Sequence, residues 1–394
     1  MTSMGDVVLS LGMGVDSVGI LTRFLLEPET RGFDLRDLIV MTAMTGDEFA
    51  ETGEHMQRYM LPLMRTHRVR YVQLSRGGPR RGDGYVVLND SAQPARMHMT
   101  GPWRLQDELL RNGTVPQFAR NRRTCSEKSK ATPLDQWKHD HLGDQPYQHI
   151  LGFSAEEEKR IARDATYTSH NRQARFPLAH EWGWTRQDTL GYLHEVYGGE
   201  WPRSCCVYCP FAISDTEYLA ERWRRDPDAA VLALVMERRS VTLNPRSTLF
   251  ARGSAWQFAR DHSLLQALAC ADEMLRDGTW AIYDVRRIYH AATDKTIGQP
   301  ITSKKGSAWR SVTTLAEGTQ SRMIRELHHL ARAHRATPQV DEFNIHRLMI
   351  RCPTTPYPTT ERFLSVGPAG IDDKRRKSFA GTWSKLVDQT RLAA

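Results

Sequence analysis

Three cysteines crowd into Cys205-Cys206-Val207-Tyr208-Cys209, and a fourth, Cys125, stands about 80 residues earlier. A Cys-x-x-Cys spacing places two thiolates where a tetrahedral metal or an iron–sulfur cluster can take both. Six cysteines in 394 residues are too few for a disulfide scaffold, so the crowding points to metal or redox chemistry. With four sulfurs, Cys125, Cys205, Cys206 and Cys209, a 4Fe–4S cluster is the expected group and Zn²⁺ its competitor. Buried structural cysteines are the plainer alternative. Cys270, in an apolar helical stretch, is expected in the core.

A second constellation lies near the start of the chain. The apolar run Val7-Val8-Leu9-Ser10 enters Leu11-Gly12-Met13-Gly14-Val15-Asp16-Ser17, and Val18, Ile20, Leu21, Phe24 and Leu25 follow at helical spacing. That pattern predicts strand, tight loop and helix. The glycines let another backbone or a ligand come close, and a helix N-terminus offers free N–H groups to an anion such as pyrophosphate. No Gly-Lys-Ser/Thr follows, which excludes a Walker A loop. The plainer reading is a structural turn.

These residues need a frame. Segments 6–10, 37–42, 69–74 and 147–151 are short apolar runs suited to buried parallel strands, with helical patterns at 18–26, 51–66 and 132–141. The alternation predicts an open, mostly parallel α/β sheet flanked by helices, with ligands at the carboxyl ends of its strands. Thr45-Gly46-Asp47-Glu48 then lies on the same rim as Ser10–Ser17. Residues 76–84, rich in Arg and Gly, read as a mobile basic loop, either a hairpin tip or a phosphate-contacting flap. Beyond Phe211 helical spacing dominates, at 215–225, 227–239, 254–276 and 319–334, with turn-rich stretches at 240–253 and 293–309. The expected division is a nucleotide-binding domain over 1–215 and a mostly helical region over 216–394, ending in a basic tail around Lys374-Arg375-Arg376-Lys377. Met236, Trp223 and Trp256 are expected in the helical core, and His328, His329 and His334 on a polar helix face. The formal net charge of +8 favours phosphate-rich partners. No apolar run approaches the roughly 18 residues that span a bilayer, so a cytoplasmic protein without membrane contact is expected.

Several segments together resemble a known family. Gly12-Met13-Gly14-Val15-Asp16-Ser17 resembles the Ser-Gly-Gly-x-Asp-Ser loop of the PP-loop ATP pyrophosphatases, with Gly12 in place of the first Ser. Thr45-Gly46-Asp47-Glu48-Phe49-Ala50-Glu51-Thr52 is similar to the acidic turn of the phosphoadenylyl-sulfate reductases within that superfamily. Thr124-Cys125 through Pro133-Leu134 resembles their Cys-Cys-x-x-Arg-Lys-Val-x-Pro-Leu segment, and Leu151-Gly152 with Arg160 their strand-Gly-x-Arg region. Phe176-Pro177-Leu178 and Trp184-Thr185-Arg186-Gln187-Asp188 resemble the Pro-Leu…Trp-Thr-x-x-Asp motif, with Thr185 as helix N-cap.

The resemblance implies an adenine nucleotide on the sheet rim with its phosphates in the Ser10–Ser17 loop. Ser10, Gly12, Gly14, Ser17, Asp47, Glu48 and Gly152 would line the nucleotide, Asp16 and Asp47 would position Mg²⁺, and Lys128 and Arg160 would stabilise transition-state charge. With ATP, cleavage between the α- and β-phosphates would adenylate an acceptor oxygen. The Glu-Cys-Gly tail of the sulfonucleotide reductases is missing from the end of this sequence. The expected activity is therefore ATP-dependent sulfur transfer to nucleic acid, DNA or tRNA, as in DNA phosphorothioation systems, with a sulfur donor such as a cysteine desulfurase. The alternatives are a sulfonucleotide reductase using an external thiol and a non-catalytic nucleotide-binding subunit of a defence assembly.

Overall fold

The computed structural model describes residues 6–116, 118–119, 122–167, 169–251 and 253–392. The chain forms two compact units, one of Met1–Glu108 with Gln117–Cys209, the other of Leu109–Pro116 with Pro210–Ala394. The division falls at Cys209 rather than 215, and a short segment from the first half belongs to the second unit.

The first unit is α/β. Its six-stranded sheet runs, in spatial order, Tyr85–Ser91, Arg70–Arg76, Leu38–Met44, Val7–Ser10, Tyr147–Ile150, Arg172–Arg175. All neighbours are parallel except the edge strand Tyr85–Ser91, which returns antiparallel from Arg70–Arg76. The central strands are apolar on both faces because helices cover both. Val7 and Leu9 pack with Phe24, Met60 and Tyr71 on one face, and Val8 with Ile39, Val72 and Trp137 on the other. Helix Val15–Leu26 lies against helix Arg186–Tyr197 so closely that a Cβ on Gly19 would stand 2.3 Å from Thr189 Cγ2. The latter helix opens on the expected Thr185–Asp188 capping box. The 76–84 stretch is a hairpin tip, with a short 3₁₀ turn at Arg81–Asp83 and Arg76 folded back onto Glu108.

The second unit is helical at Thr216–Arg225, Pro227–Leu243, Ala255–Asp261, Leu265–Asp277, Gln320–His334 and Phe379–Leu392. The single helix expected over 254–276 is broken at 262–264, where Ser263 takes φ +53. This unit also carries a five-stranded antiparallel sheet that the sequence pattern did not announce. Its order is Pro300–Gly318, Trp280–Thr293, Thr359–Pro368, His346–Arg351, Gln339–Val340. The stretch 293–309, read as turns, is the tip and outer half of its long hairpin. Met236, Trp223 and Trp256 are buried, and His328, His329 and His334 exposed, as expected. Cys270 is exposed, not in the core, because it falls on the solvent side of its helix. The basic tail is anchored at its start, where Lys374 bridges to Val312 and Arg376 lies over Trp309. Among the described residues no helix is long and apolar enough to cross a membrane.

Candidate active site

The strand order of the first unit reverses at Val7–Ser10, since strands later in the chain extend the sheet on both of its sides. A crevice at the carboxyl ends of such strands is where α/β sheets bind ligands. The loop leaving Ser10 is held by its carbonyls. Leu11 O accepts from Thr42 Oγ1 (2.9 Å), Gly12 O from Ser204 Oγ (2.8 Å) and Met13 O from Trp201 Nε1 (3.0 Å). Ser17 Oγ accepts from Gly12 N–H and donates to Gly14 O, so Ser17 braces the loop from inside. Gly14 is extended at the N-cap and supplies no side-chain cap, leaving the first-turn N–H groups of a 12-residue helix without the usual side-chain acceptor. Gly152, at the end of the adjoining strand, is required by contact: a Cβ there would stand 2.8 Å from Ser17 N.

Ser10 begins a buried relay. Arg172 Nε donates to His149 Nδ1 (2.8 Å), leaving His149 Nε2 as donor to Ser10 Oγ (2.8 Å). Arg172 is itself fixed by Asp164 at 2.8 Å. Burial, then the nearby Lys138 and Arg172 charges, hold His149 well below its ordinary pKa, so it is neutral. Asp16 pairs with Arg186 at 3.2 Å through one oxygen. Its other, Oδ1, is buried with no hydrogen-bond partner among the described residues. Burial raises the Asp16 pKa, opposed by Arg186. Arg160 adds favourable charge toward Asp16, but its guanidinium is bound to Glu157 and lies 4.3 Å over the Phe153 ring.

The acidic turn and the cysteine segment pack on one another. Glu48 and Cys206 form an antiparallel bridge, and Val207 N–H donates to Asp47 O (2.9 Å). Thr45 Oγ1 is 3.1 Å from Cys206 Sγ. Asp47 Oδ2 accepts from Tyr208 OH (2.6 Å) and Gln106 N–H (2.8 Å). Burial nevertheless lifts the Asp47 pKa to about 6, the Tyr208 and Gln106 bonds working against it. Glu48 Oε1 takes Lys130 Nζ at 3.3 Å, while Glu48 Oε2 is buried without a hydrogen-bond partner among the described residues. Burial and then Glu48 push the Cys206 thiol well above its ordinary pKa, Lys130 opposing, so Cys206 is a neutral thiol. The Lys130 pKa is raised: burial lowers it, but Glu48 outweighs burial.

The basic residue that reaches this turn is therefore Lys130, which sequence reasoning passed over. Lys128, two positions earlier, points instead to Glu108 (2.7 Å), a carboxylate it shares with Arg76. Asp47 and Tyr208 form a packing contact, a role no motif signalled. Cys125 lies half-buried in the short helix Thr124–Ser126. Among the described residues no three His, Cys, Asp or Glu side chains converge as a metal ligand set. Cys125, Cys205, Cys206 and Cys209 are not gathered into such a set among the described residues.

No protein-family model, curated protein or solved structure matches this chain.

Proposed function

We propose that the first unit is a PP-loop-type, phosphoadenylyl-sulfate reductase-like enzyme that binds ATP and adenylates an acceptor oxygen as the first half of sulfur transfer to nucleic acid. The observation that carries this reading is the uncapped helix N-terminus at Gly14–Ser17, set at the strand-order reversal and backed by Gly152. In the proposed step the acceptor oxygen attacks the α-phosphorus, the bond from that phosphorus to the bridging oxygen breaks, and pyrophosphate leaves. The loop N–H groups take phosphate oxygens, Ser10 presents its hydroxyl with His149 behind it, and Arg186 and Arg160 add positive charge near Asp16. Asp16, with one buried oxygen unpartnered, fits as a carboxylate ligand of Mg²⁺ completed by the nucleotide's phosphates, and the ion would neutralise phosphate charge. Asp47, tied to Tyr208 and Gln106, is left out of that role. No step is drawn through a cluster, and an external donor such as a cysteine desulfurase would supply the sulfur in a cytoplasmic setting.

Pyrophosphate release from ATP by the purified protein, with and without DNA or tRNA, tests the reading. Release that is stimulated by nucleic acid and lost in Asp16→Ala is expected; no release under either condition overturns it. One observation favours a second reading, nucleotide binding without turnover: the Asp16 carboxylate is already paired with Arg186. Tight ATP binding with no pyrophosphate would select it. Preferential binding of adenylyl sulfates over ATP would instead select a sulfonucleotide reductase.

A further inference from the structure

The second unit contains a cavity of about 370 Å³ between its sheet and the residues that follow helix Pro227–Leu243. That is within the range of about 300–1,000 Å³ usual for small-molecule sites. Its lining is unusual in charge. Arg246, Arg287, Lys305 and Arg347 all face it, and Glu361 is the one carboxylate among the lining residues.

The two inner arginines are fixed. Arg347 donates to Thr242 O (2.6 Å) and to Val241 O, and Arg287 to Leu243 O. They thereby satisfy the last carbonyls of helix Pro227–Leu243, which otherwise lack partners. Each is also ion-paired, Arg287 with Glu361 (2.7 Å) and Arg347 with Asp341 (3.0 Å). The floor is therefore rigid and close to neutral. The rim is not. Arg246 and Lys305 are exposed, and neither makes an ion pair among the described residues. Lys305 Nζ lies 4.0 Å over the Tyr289 ring. Burial and then Arg246 and Arg287 press the Lys305 pKa below its ordinary value, with Glu361 opposing them. Apolar surface from Met349, Tyr357 and Phe363 completes the wall.

A cavity with a cationic rim and an aromatic, apolar wall suits a ligand with an anionic head and a flat apolar body. We propose that this cavity binds one phosphate-bearing nucleotide, its phosphate at Arg246 and Lys305 and its base toward the Tyr357–Phe363 side. Surface lysines alone make no such site; here the two unpaired cations border a preformed volume of nucleotide size. The inference is independent of the reading given for the first unit. The nucleotide is either free or the 5′-phosphorylated end of a strand, since both present the same chemistry.

The test uses the full chain and three probes: AMP, a fluorescent 5′-phosphorylated single-stranded decamer, and the same decamer without the phosphate. Binding is followed by anisotropy and by competition. Photo-crosslinking of a decamer carrying a terminal thionucleotide, read by mass spectrometry, locates the contact. Both phosphorylated probes are expected to bind, with a crosslink within 349–363. Arg246→Ala/Lys305→Ala should weaken binding at least tenfold while leaving the circular dichroism spectrum unchanged. Tighter binding of the phosphorylated decamer than of AMP identifies a strand end, and equal binding identifies a free nucleotide; both support the site. Equal affinity for the two decamers, crosslinks confined to the first unit, or wild-type affinity in the double variant each overturns it.

Discussion

Tyr208 donates its phenol to the Asp47 carboxylate at 2.6 Å, across 161 residues of sequence, and both side chains are buried. The bond ties the cysteine segment to the acidic turn, and it acts on a carboxyl whose pKa is already displaced upward from 3.8 to about 6.

That displacement sets a pH dependence. Between about pH 4 and 6 the folded protein retains a proton on Asp47 that the unfolded chain has released. Stability contributed by this group therefore falls as pH rises through that window and is level above it, a change on the order of 2–3 kcal/mol. Urea unfolding from pH 4 to 7 should show the slope in the wild type and lose it in Asp47→Asn. Tyr208→Phe removes a bond that favours the charged form, so the window should extend to higher pH. An unchanged slope in Asp47→Asn would contradict the assignment.

Lys130 is the partner of a fully buried Glu48 side chain. Replacing it with Met leaves that carboxylate without a countercharge and should cost roughly 2–3 kcal/mol, below the full value for a buried pair because Lys130 keeps partial solvent access. Lys128→Met, which breaks only a half-exposed contact with Glu108, should cost under about 1 kcal/mol. Paired denaturation curves decide it, and equal losses would mean the two lysines are interchangeable.

Gly152→Ala drives a methyl group into the Ser17 backbone. We expect a loss of about 1–3 kcal/mol and at least tenfold weaker ATP binding by isothermal titration. Gly191→Ala, where an added Cβ meets nothing within 4 Å, is the control. It should be neutral or slightly stabilising, since alanine favours the helix by about 0.5–1 kcal/mol. ATP affinity unaltered in Gly152→Ala would remove the helix N-terminus from the proposed nucleotide site.

Thiol chemistry follows the same geometry. Cys270 and Cys352 are exposed, whereas the Cys206 thiol is held protonated. Iodoacetamide at pH 8, followed by peptide mass spectrometry, should label the first two well before Cys206. Early labelling of Cys206 would show that its segment does not rest on the acidic turn.

The four inner strands of the first sheet were legible as short apolar runs alternating with helical patterns, and the cap at Thr185 because the capping box is local, whereas the more polar edge strands Tyr85–Ser91 and Arg172–Arg175 were not. The second sheet was not, since Thr302-Ser303-Lys304-Lys305-Gly306-Ser307 is polar on both faces and its pairing partner lies across a hairpin. Helical spacing over 254–276 hid the break at Ser263, whose left-handed backbone carries no glycine to mark it. Motif resemblance singled out Lys128, but the π turn Glu127–Ala131 that follows Cys125 rotates Lys130 toward Glu48 instead. A one-dimensional pattern cannot report that rotation. Nor can it report Tyr208 reaching Asp47, which depends on where a distant segment lands.

Trp201 and Ser204 close hydrogen bonds onto Met13 and Gly12, partners 188 and 192 residues upstream. During synthesis the glycine loop leaves the ribosome well before the residues that clasp it. At about 5–20 residues per second the nascent chain waits on the order of 10–40 s before that clasp can engage. A ribosome stalled before residue 200 would carry a helix and strands but a loop still unfastened.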